Sequence, residues 1–333
     1  MEESRALPLL RRTNPMKALL LAVTLLLAAP TAFGNVEETR TTLRAHVLRL
    51  INADRQLYGL PPVELDDHAS IIGDAFCRQQ IQHGTNGHFT IDGLTPYMRY
   101  SFAGGNDGIS ENAAAWSATY AFSERALYEM ARRSQDAMMA EAPPNDGHKK
   151  TILDPHATHV GVGLAWHRGE FRLVHEFIRR YIDWTQPIVR RARIGEKVTI
   201  AGRPLNGAVI DAISVHLEPV PNPMSVAAAN AIANYTLPAK RTDYLPRLSA
   251  TTTATKGAME VVRREYADGR RGEVRVARDG AFTFDVPFPD GPGIYTVVVW
   301  VRRGGTSVPI AASNISIRVD DLTPPDIRAT GAR

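Results

Sequence analysis

The chain has 333 residues, 44% of them hydrophobic, which is enough apolar material for the cores of two ordinary domains. Its 39 basic and 35 acidic residues leave a formal net charge of only +4. The basic residues are scattered and form no stripe interleaved with aromatics, so nucleic-acid binding is disfavoured. The single cysteine, Cys77, excludes an internal disulfide, and its position in a helical pattern predicts a buried small residue.

A short apolar run near the N-terminus predicts a signal peptide. Arg and Lys residues precede an apolar run at 18–29, and small residues up to Gly34 suit cleavage before Asn35. The run is too short to cross a bilayer comfortably, although a membrane anchor is the alternative. We therefore expect residues 1–34 to be removed and the mature protein to be secreted, extracellular or periplasmic, with no membrane span after signal cleavage.

The following part of the chain, residues 38–184, mixes two periodicities. Apolar residues recur at helical spacing in three long segments, at 41–58, 67–82 and 123–141. The pieces "SENAAAW" and "HKKTIL" predict short helical turns. Apolar residues at every second position in "HVGVGLAW" and "FRLVHEFI" predict a β-hairpin. The stretch "GHFTIDGLTPYMRY" (87–100) fits neither period and predicts a shaped loop that presents His88.

The C-terminal part is strand-like throughout. We predict a β-sandwich of the Ig-like type over residues 188–320, with a hairpin turn at Asp279-Gly280. The Ala-rich stretch 224–240 is expected to be a long insertion or a linker. Residues 321–333 are expected to be a disordered tail. The strand-like segments are "EKVTIAG", "AVIDAISVHLEPV", "GEVRVA", "AFTFDVPF", "GIYTVVVWV" and "ASNISIRV".

Common enzyme signatures are absent from the sequence. It contains no G-x-S-x-G nucleophile elbow and no P-loop. The piece "HEFIRR" begins like a zinc-protease helix but lacks the second His, and strand alternation predicts opposite faces for His175 and Glu176.

Four segments in a fixed order carry a more specific signal. They are "HFTIDGLTPYMR", "ISENAAAW", "DAMMAEAPPNDGHKKTILDP" and "HVGVGLAW". With these spacings, residues 40–184 resemble the CAP superfamily (SCP/PR-1-like), and the bacterial secreted branch most. The resemblance implies an α/β/α sandwich for this domain. The whole chain is then of the α+β class, with the all-β Ig-like sandwich following at 188–320.

The resemblance also implies a cleft that carries two histidines and two acidic residues. Matched residue by residue, these are His88, Glu111, Glu141 and His148. Glu141 lies three residues after Met138, where the family usually has Trp. His83 is a rival for His88, but only His88 has the family's downstream residues at the family's steps, which are Asp92, Gly93, Pro96 and Arg99.

Two chemical interpretations of this cleft are open. Imidazole nitrogens and carboxylate oxygens are competent zinc ligands, so His88 and His148 are candidate ligands of a divalent metal such as zinc. Alternatively, the four residues form a hydrogen-bonded polar cluster that only holds the cleft together. Carboxylates near imidazoles also raise the histidine pKa, so we expect the charge of the site to change under mildly acidic conditions.

The resemblance implies a non-enzymatic, extracellular binding module for a lipid, a sterol or a cell-envelope component. The alternative is a metal-assisted hydrolase, a peptidase or an esterase, that uses the same His/Glu cleft. Against the hydrolase, no nucleophile stands beside a base in the sequence.

Overall fold

The computed structural model describes residues 32–248, 251–255, 258–262, 264–304 and 308–321. The predicted signal peptide lies outside the described residues up to position 31, and so does the predicted tail from position 322. From Leu43 onward the chain forms one compact unit. Across the described ranges, the helices are either too short or too polar to cross a bilayer.

The N-terminal domain is a four-stranded sheet between two layers of helices. The strand order is β1-β3-β4-β2, with β1 parallel to β3 and the other pairs antiparallel. In chain order the elements are α1 (Ala32–Leu57), β1 (Glu64–Leu65), α2 (Asp67–His83), α3 (Pro96–Phe102), β2 (Gly108–Ser117), α4 (Glu124–Met139), α5 (Gly147–Ile152), β3 (His159–His167) and β4 (Glu170–Arg179).

Strand alternation explains why the sheet has helices on both faces. Val160, Val162 and Leu164 of β3 pack with α1 and α4, whose inward positions include Val47 and Leu127. The intervening residues of β3 face α2 on the other side. The α/β/α sandwich implied by the sequence is therefore confirmed.

Helix α2 lies unusually close to the sheet because glycines meet at the contact. A Cβ added to Gly163 of β3 would lie 2.3 Å from the carbonyl carbon of Gly73 in α2. Asp74, the residue after Gly73, accepts a hydrogen bond from the N–H of Leu164 at 2.7 Å. Small residues and one carboxylate thus fix the distance between α2 and the sheet. Helix α2 ends just before the loop that carries His88.

Two local predictions were wrong. "SENAAAW" is not a helical turn but part of β2, which pairs along its whole length with β4. Alanine favours helices, but the free sheet edge beside β4 overrides that propensity. The second half of "GHFTIDGLTPYMRY" is helix α3 and not loop: Thr95 accepts the N–H of Met98, and Pro96 occupies the first turn.

The C-terminal part is a β-sandwich, as predicted. Two sheets, ordered β12-β13-β7-β5 and β6-β16-β14-β8-β9 with β15 on β14, enclose one apolar core. The strands are β5 (Ile182–Trp184), β6 (Arg191–Arg193), β7 (Val198–Pro204), β8 (Val209–Glu218), β9 (Arg241–Tyr244), β10 (Thr251–Thr255), β11 (Ala258–Val262), β12 (Arg275–Val276), β13 (Phe282–Val286), β14 (Gly293–Arg302), β15 (Ile310–Ala311) and β16 (Ile315–Asp320). Strands β10 and β11 form a separate hairpin.

Hydrogen bonds link the two domains, and strand β5 belongs to the second of them. Strand β5, placed by the sequence within 38–184, pairs with β7 and belongs to the sandwich. Strand β5 joins the sandwich because its residue Ile182 is apolar and packs in the sandwich core. Across the junction, Ser316 N–H donates to Ser101 Oγ at 2.7 Å, and Ile109 N–H donates to Asn314 Oδ1 at 2.9 Å.

The chain between β8 and β9, residues 219–240, contains the Ala-rich stretch 224–240 that was predicted to be an insertion or a linker, and we call it the β8–β9 segment. It contains a short helix, α6 (Val226–Ala231), capped by Ser225. The segment leaves the sandwich and lies on the loop that follows α2 in the N-terminal domain. There, Met224 N–H donates to Ile91 O at 2.7 Å, and Asn86 N–H donates to Asn230 Oδ1 at 2.8 Å.

Candidate functional site

All four predicted site residues line one cavity of about 530 Å³. They come from three separate parts of the chain, so sequence proximity does not bring them together. The complete lining comprises His88, Ser110, Glu111, Asn112, Glu141, Pro144, Asn145, Gly147, His148, Thr151, Ala233, Asn234 and Tyr235.

A tight turn after α2 places His88 at the cavity. Leu94 N–H donates to Thr90 Oγ1 at 2.9 Å, and Gly93 N–H donates to Thr90 O at 2.9 Å. Gly93 has a φ of 80°, which favours glycine. The turn leaves His88 only 6% exposed at the wall of the cavity, whereas the rival His83 is exposed at the end of α2 and does not line the cavity.

The site residues form two His–Glu pairs. His88 Nδ1 lies 2.9 Å from Glu111 Oε1, which projects from β2. His148 Nδ1 lies 2.5 Å from Glu141 Oε1, and the other carboxylate oxygen of Glu141 accepts the N–H of His148 at 2.9 Å. The ring centroids of His88 and His148 are 6.5 Å apart. In each histidine the Nδ1 atom is engaged by a carboxylate, which leaves Nε2 for other partners.

Beneath His88 lies a buried group of charges that the sequence did not place in the site. The guanidinium of Arg99 contacts the carboxylate of Glu111, lies 3.2 Å from Glu176 Oε1 and donates to His88 O at 3.2 Å. It also stacks on the ring of Phe76, 3.6 Å from the centroid. Arg99 therefore connects the first His–Glu pair to the centre of the sheet.

Two carboxylates share this one guanidinium. Burial, and then the neighbouring Glu111, raise the pKa of Glu176 well above its usual value. Burial also raises the pKa of Glu111, although Arg99 opposes that shift. The two carboxyl groups therefore titrate as a pair that tends to keep one proton opposite Arg99.

The electrostatics of His88 correct an expectation from the sequence. Its pKa is lowered to about 4, first by burial and then by Arg99, with Glu176 opposing. The upward effect of Glu176 on the pKa is outweighed, because the ring is removed from water and Arg99 lies close to it. His88 is consequently neutral through the mildly acidic range.

His175 is a second buried imidazole below the cavity. It is 0% exposed, and neither ring nitrogen has a hydrogen-bond partner among the described residues. Burial, and then the charge of His148, lower its pKa to about 3. The sequence predicted opposite faces for His175 and Glu176, but both faces of β4 are covered, so both residues are fully buried.

The side chains fit a metal ion poorly. A zinc site normally takes three or four protein ligands. Within the described ranges, no group of three or more His, Cys, Asp or Glu side chains is arranged to hold one ion. The two glutamates are occupied by the Nδ1 atoms of the histidines. Of the four described site side chains, this leaves the two Nε2 atoms as possible metal ligands, which is fewer than a zinc site needs, so we derive no step through a metal.

One wall of the cavity comes from the sandwich domain. The ring of Tyr235, in the β8–β9 segment, lies edge-on to His88 with centroids 4.9 Å apart. Its Oη accepts the backbone N–H of Glu111 at 2.5 Å. Burial raises the pKa of Tyr235, so the phenol stays neutral. No sequence pattern marks this residue, because Tyr235 lies more than a hundred positions from its partners.

Residues 48–177 match the family model described as the Cysteine-rich secretory protein family, CAP. This part of the chain is a CAP domain. The match contains all four residues of the two His–Glu pairs, together with Arg99 and Glu176. Tyr235 lies outside it, so the cavity of this CAP domain is completed by a residue from beyond the CAP domain.

The remaining comparisons add little to the family assignment. The chain is similar to a solved structure of an extracellular protein containing a SCP domain from Bacillus anthracis, with 18% identity and a TM-score of 0.33. The similarity covers 42% of this chain and 41% of that one, so this chain spans about two fifths of the length of that relative. No curated protein matches.

Proposed function

We propose that this protein is a secreted, non-enzymatic binding module whose CAP cavity takes a polar ligand, a component of the cell envelope being the first candidate. The observation that carries the proposal is the lining of the cavity, where imidazole, carboxylate, amide and hydroxyl groups converge. Such groups offer directional hydrogen bonds to a polar ligand. A lipid or a sterol would need a long apolar surface instead. Secretion is supported by the signal-peptide pattern at 1–34.

The geometry favours binding over hydrolysis. Ser110 and Thr151 line the cavity, but Ser110 Oγ accepts from Arg179 at 3.0 Å and Thr151 Oγ1 donates to Gly147 O at 3.0 Å. Among the described residues, no hydroxyl or thiol is hydrogen-bonded to His88 or His148. An activated nucleophile needs such a base beside it. The metal-assisted hydrolase is the second candidate, in which an Nε2 atom of His88 or His148 would act as a base on a water, and the turnover assay below tests it.

The test compares the wild-type chain with His88→Ala/His148→Ala. Thermal shift is measured with soluble cell-wall glycopeptides, with phospholipid vesicles and with a sterol, each with and without a chelator. We expect the glycopeptides to raise the Tm of the wild type and not of the double variant. His83→Ala, an exposed histidine outside the cavity, is the matched control and should behave as wild type.

Turnover is measured on the same proteins with a broad peptide and ester library. We expect none. A chelator-sensitive hydrolysis that disappears in the double variant at unchanged folding would overturn the binding module in favour of the hydrolase.

A further inference from the structure

The β8–β9 segment occupies the CAP domain in the manner of a bound peptide. Residues 232–237 have no regular secondary structure, and Ala233, Asn234 and Tyr235 form one wall of the cavity. The backbone of the segment runs past the loop 84–95, and the ring of Tyr235 packs against His88. A chain that lies extended across a cleft and inserts one aromatic side chain is a common arrangement in peptide recognition.

The CAP domain holds the segment mainly through main-chain groups of its own. On the CAP side, the main-chain partners are Gly84 O, Asn86 N–H, Ile91 O and Glu111 N–H, and the Tyr97 hydroxyl donates to Thr236 O at 3.5 Å. On the segment side, they are the amide of Asn230, the N–H of Met224 and the phenol of Tyr235. Among the described residues, the hydrogen bonds and ring contacts of 231–237 to the CAP domain come from the carbonyl of Thr236 and the inserted side chain of Tyr235, so the tyrosine carries the selectivity.

The side-chain pocket is suited to a neutral aromatic ring with a polar tip. The ring of Tyr235 packs edge-on to His88, while its hydroxyl reaches the backbone of β2. The ring of a second tyrosine, Tyr97, is also close, with its centroid 6.5 Å from that of Tyr235. Because His88 is neutral and the charges of Arg99 and the two glutamates are directed at one another, the pocket presents no net charge to the ring.

We propose that the CAP cavity recognises an extended peptide that inserts a tyrosine beside His88, and that residues 231–237 are a tethered copy of that ligand. This proposal rests on the proposed function and names the class of its ligand. The proposal gives a reason for the length of the β8–β9 segment, because two neighbouring strands can be joined by only a few residues.

The probe is the fluorescein-labelled peptide Ala-Ile-Ala-Asn-Tyr-Thr-Leu, the sequence of residues 231–237, read by fluorescence anisotropy on the full chain. We expect Tyr235→Ala, which vacates the pocket, to bind the peptide at least about tenfold more tightly than the wild type does. The same peptide with alanine in place of tyrosine should not bind. Equal binding to wild type and variant, or no binding to a folded variant, would overturn the proposal.

A second variant keeps the test decisive if Tyr235→Ala unfolds. Asn230→Ala removes the two hydrogen bonds of an exposed residue to Asn86 and Gly84 and leaves the pocket intact. It should also strengthen peptide binding, whereas Asn222→Ala, an exposed asparagine of the same segment, should not. If both variants fold and neither binds the peptide, the ligand class is wrong. A glycopeptide response in the earlier screen would survive that result, so the two proposals fail separately.

Discussion

The guanidinium Nη2 of Arg99 lies 3.2 Å from Oε1 of Glu176 while the same nitrogen also contacts Glu111. Arg99 is 9% exposed, and both glutamates are more deeply buried. Removing one member of such a buried set leaves the others without a counter-charge, which costs more than the set contributes when complete.

Arg99→Met should therefore lower the free energy of unfolding by about 3–5 kcal/mol, as measured by urea titration at pH 7. The loss should shrink at lower pH, because Glu111 can then take up a proton. Arg203→Met, which breaks an exposed pair with Asp279, should cost under about 1 kcal/mol. A loss at Arg99 as small as the loss at Arg203 would show that the cluster carries no buried charge.

His175→Leu should stabilise the protein, since it removes two buried ring nitrogens that have no hydrogen-bond partner in the described part of the chain. We expect a gain of about 1 kcal/mol at pH 7. The native pKa of His175 is lowered to about 3, so below about pH 6.5 the unfolded chain binds a proton that the native state does not. Wild-type stability is therefore lost as the pH falls from about 6.5 towards 3, by up to roughly 1.4 kcal/mol per pH unit for this group.

The advantage of His175→Leu should accordingly grow between pH 6.5 and pH 5, and urea titrations at the two values measure it. His88 contributes a similar slope to both proteins, so it cancels in the difference. His167→Leu, at an exposed histidine, is the control. If the two substitutions gave the same pH dependence, His175 would not be held neutral in the native state.

Gly163→Ala should separate α2 from the sheet. Its Cβ would lie 2.5 Å from Gly73 Cα, a contact that no side-chain rotation relieves. We expect a loss of about 1–3 kcal/mol in urea titration. The matched control is Gly304→Ala, where nothing lies within 4 Å of the added carbon. Equal stabilities of the two variants would contradict the close packing of α2.

Cys77 should be inert in the folded protein. It is 0% exposed, and burial, followed by Asp74, raises the pKa of its thiol well above the usual range. Thiolate is the reactive form, so Ellman's reagent should not react at pH 8 until urea unfolds the chain. Rapid reaction in buffer alone would show that α2 opens readily.

Several elements followed directly from local sequence. Helix α4 was predicted from its apolar spacing, and Ser123 caps it in the structure; the β3–β4 hairpin was predicted from alternation. Local patterns suffice there because each element presents one apolar face to the sheet core. The β2 strand was missed because its alanines favour a helix, and only the pairing with β4 decides otherwise.

In the site, too, local motifs located some residues and missed another. The family's ordered motifs located His88, Glu111, Glu141 and His148, and the structure places all four around one cavity. Their roles in ligand or metal binding stay predictions. Tyr235 could not be found in this way, because it reaches the cavity through a contact between two domains. The one available signal was an insertion far longer than a strand connection needs.

The β8–β9 segment is held at both ends, by β8 and by β9, with Tyr235 between them. A side chain tethered in this way competes intramolecularly, at an effective concentration on the order of millimolar. A free molecule whose intrinsic affinity equals that of Tyr235 must exceed this concentration to take its place. Affinities measured on the intact chain will therefore understate what the cleft itself can bind, and concentration alone can decide when it exchanges partners.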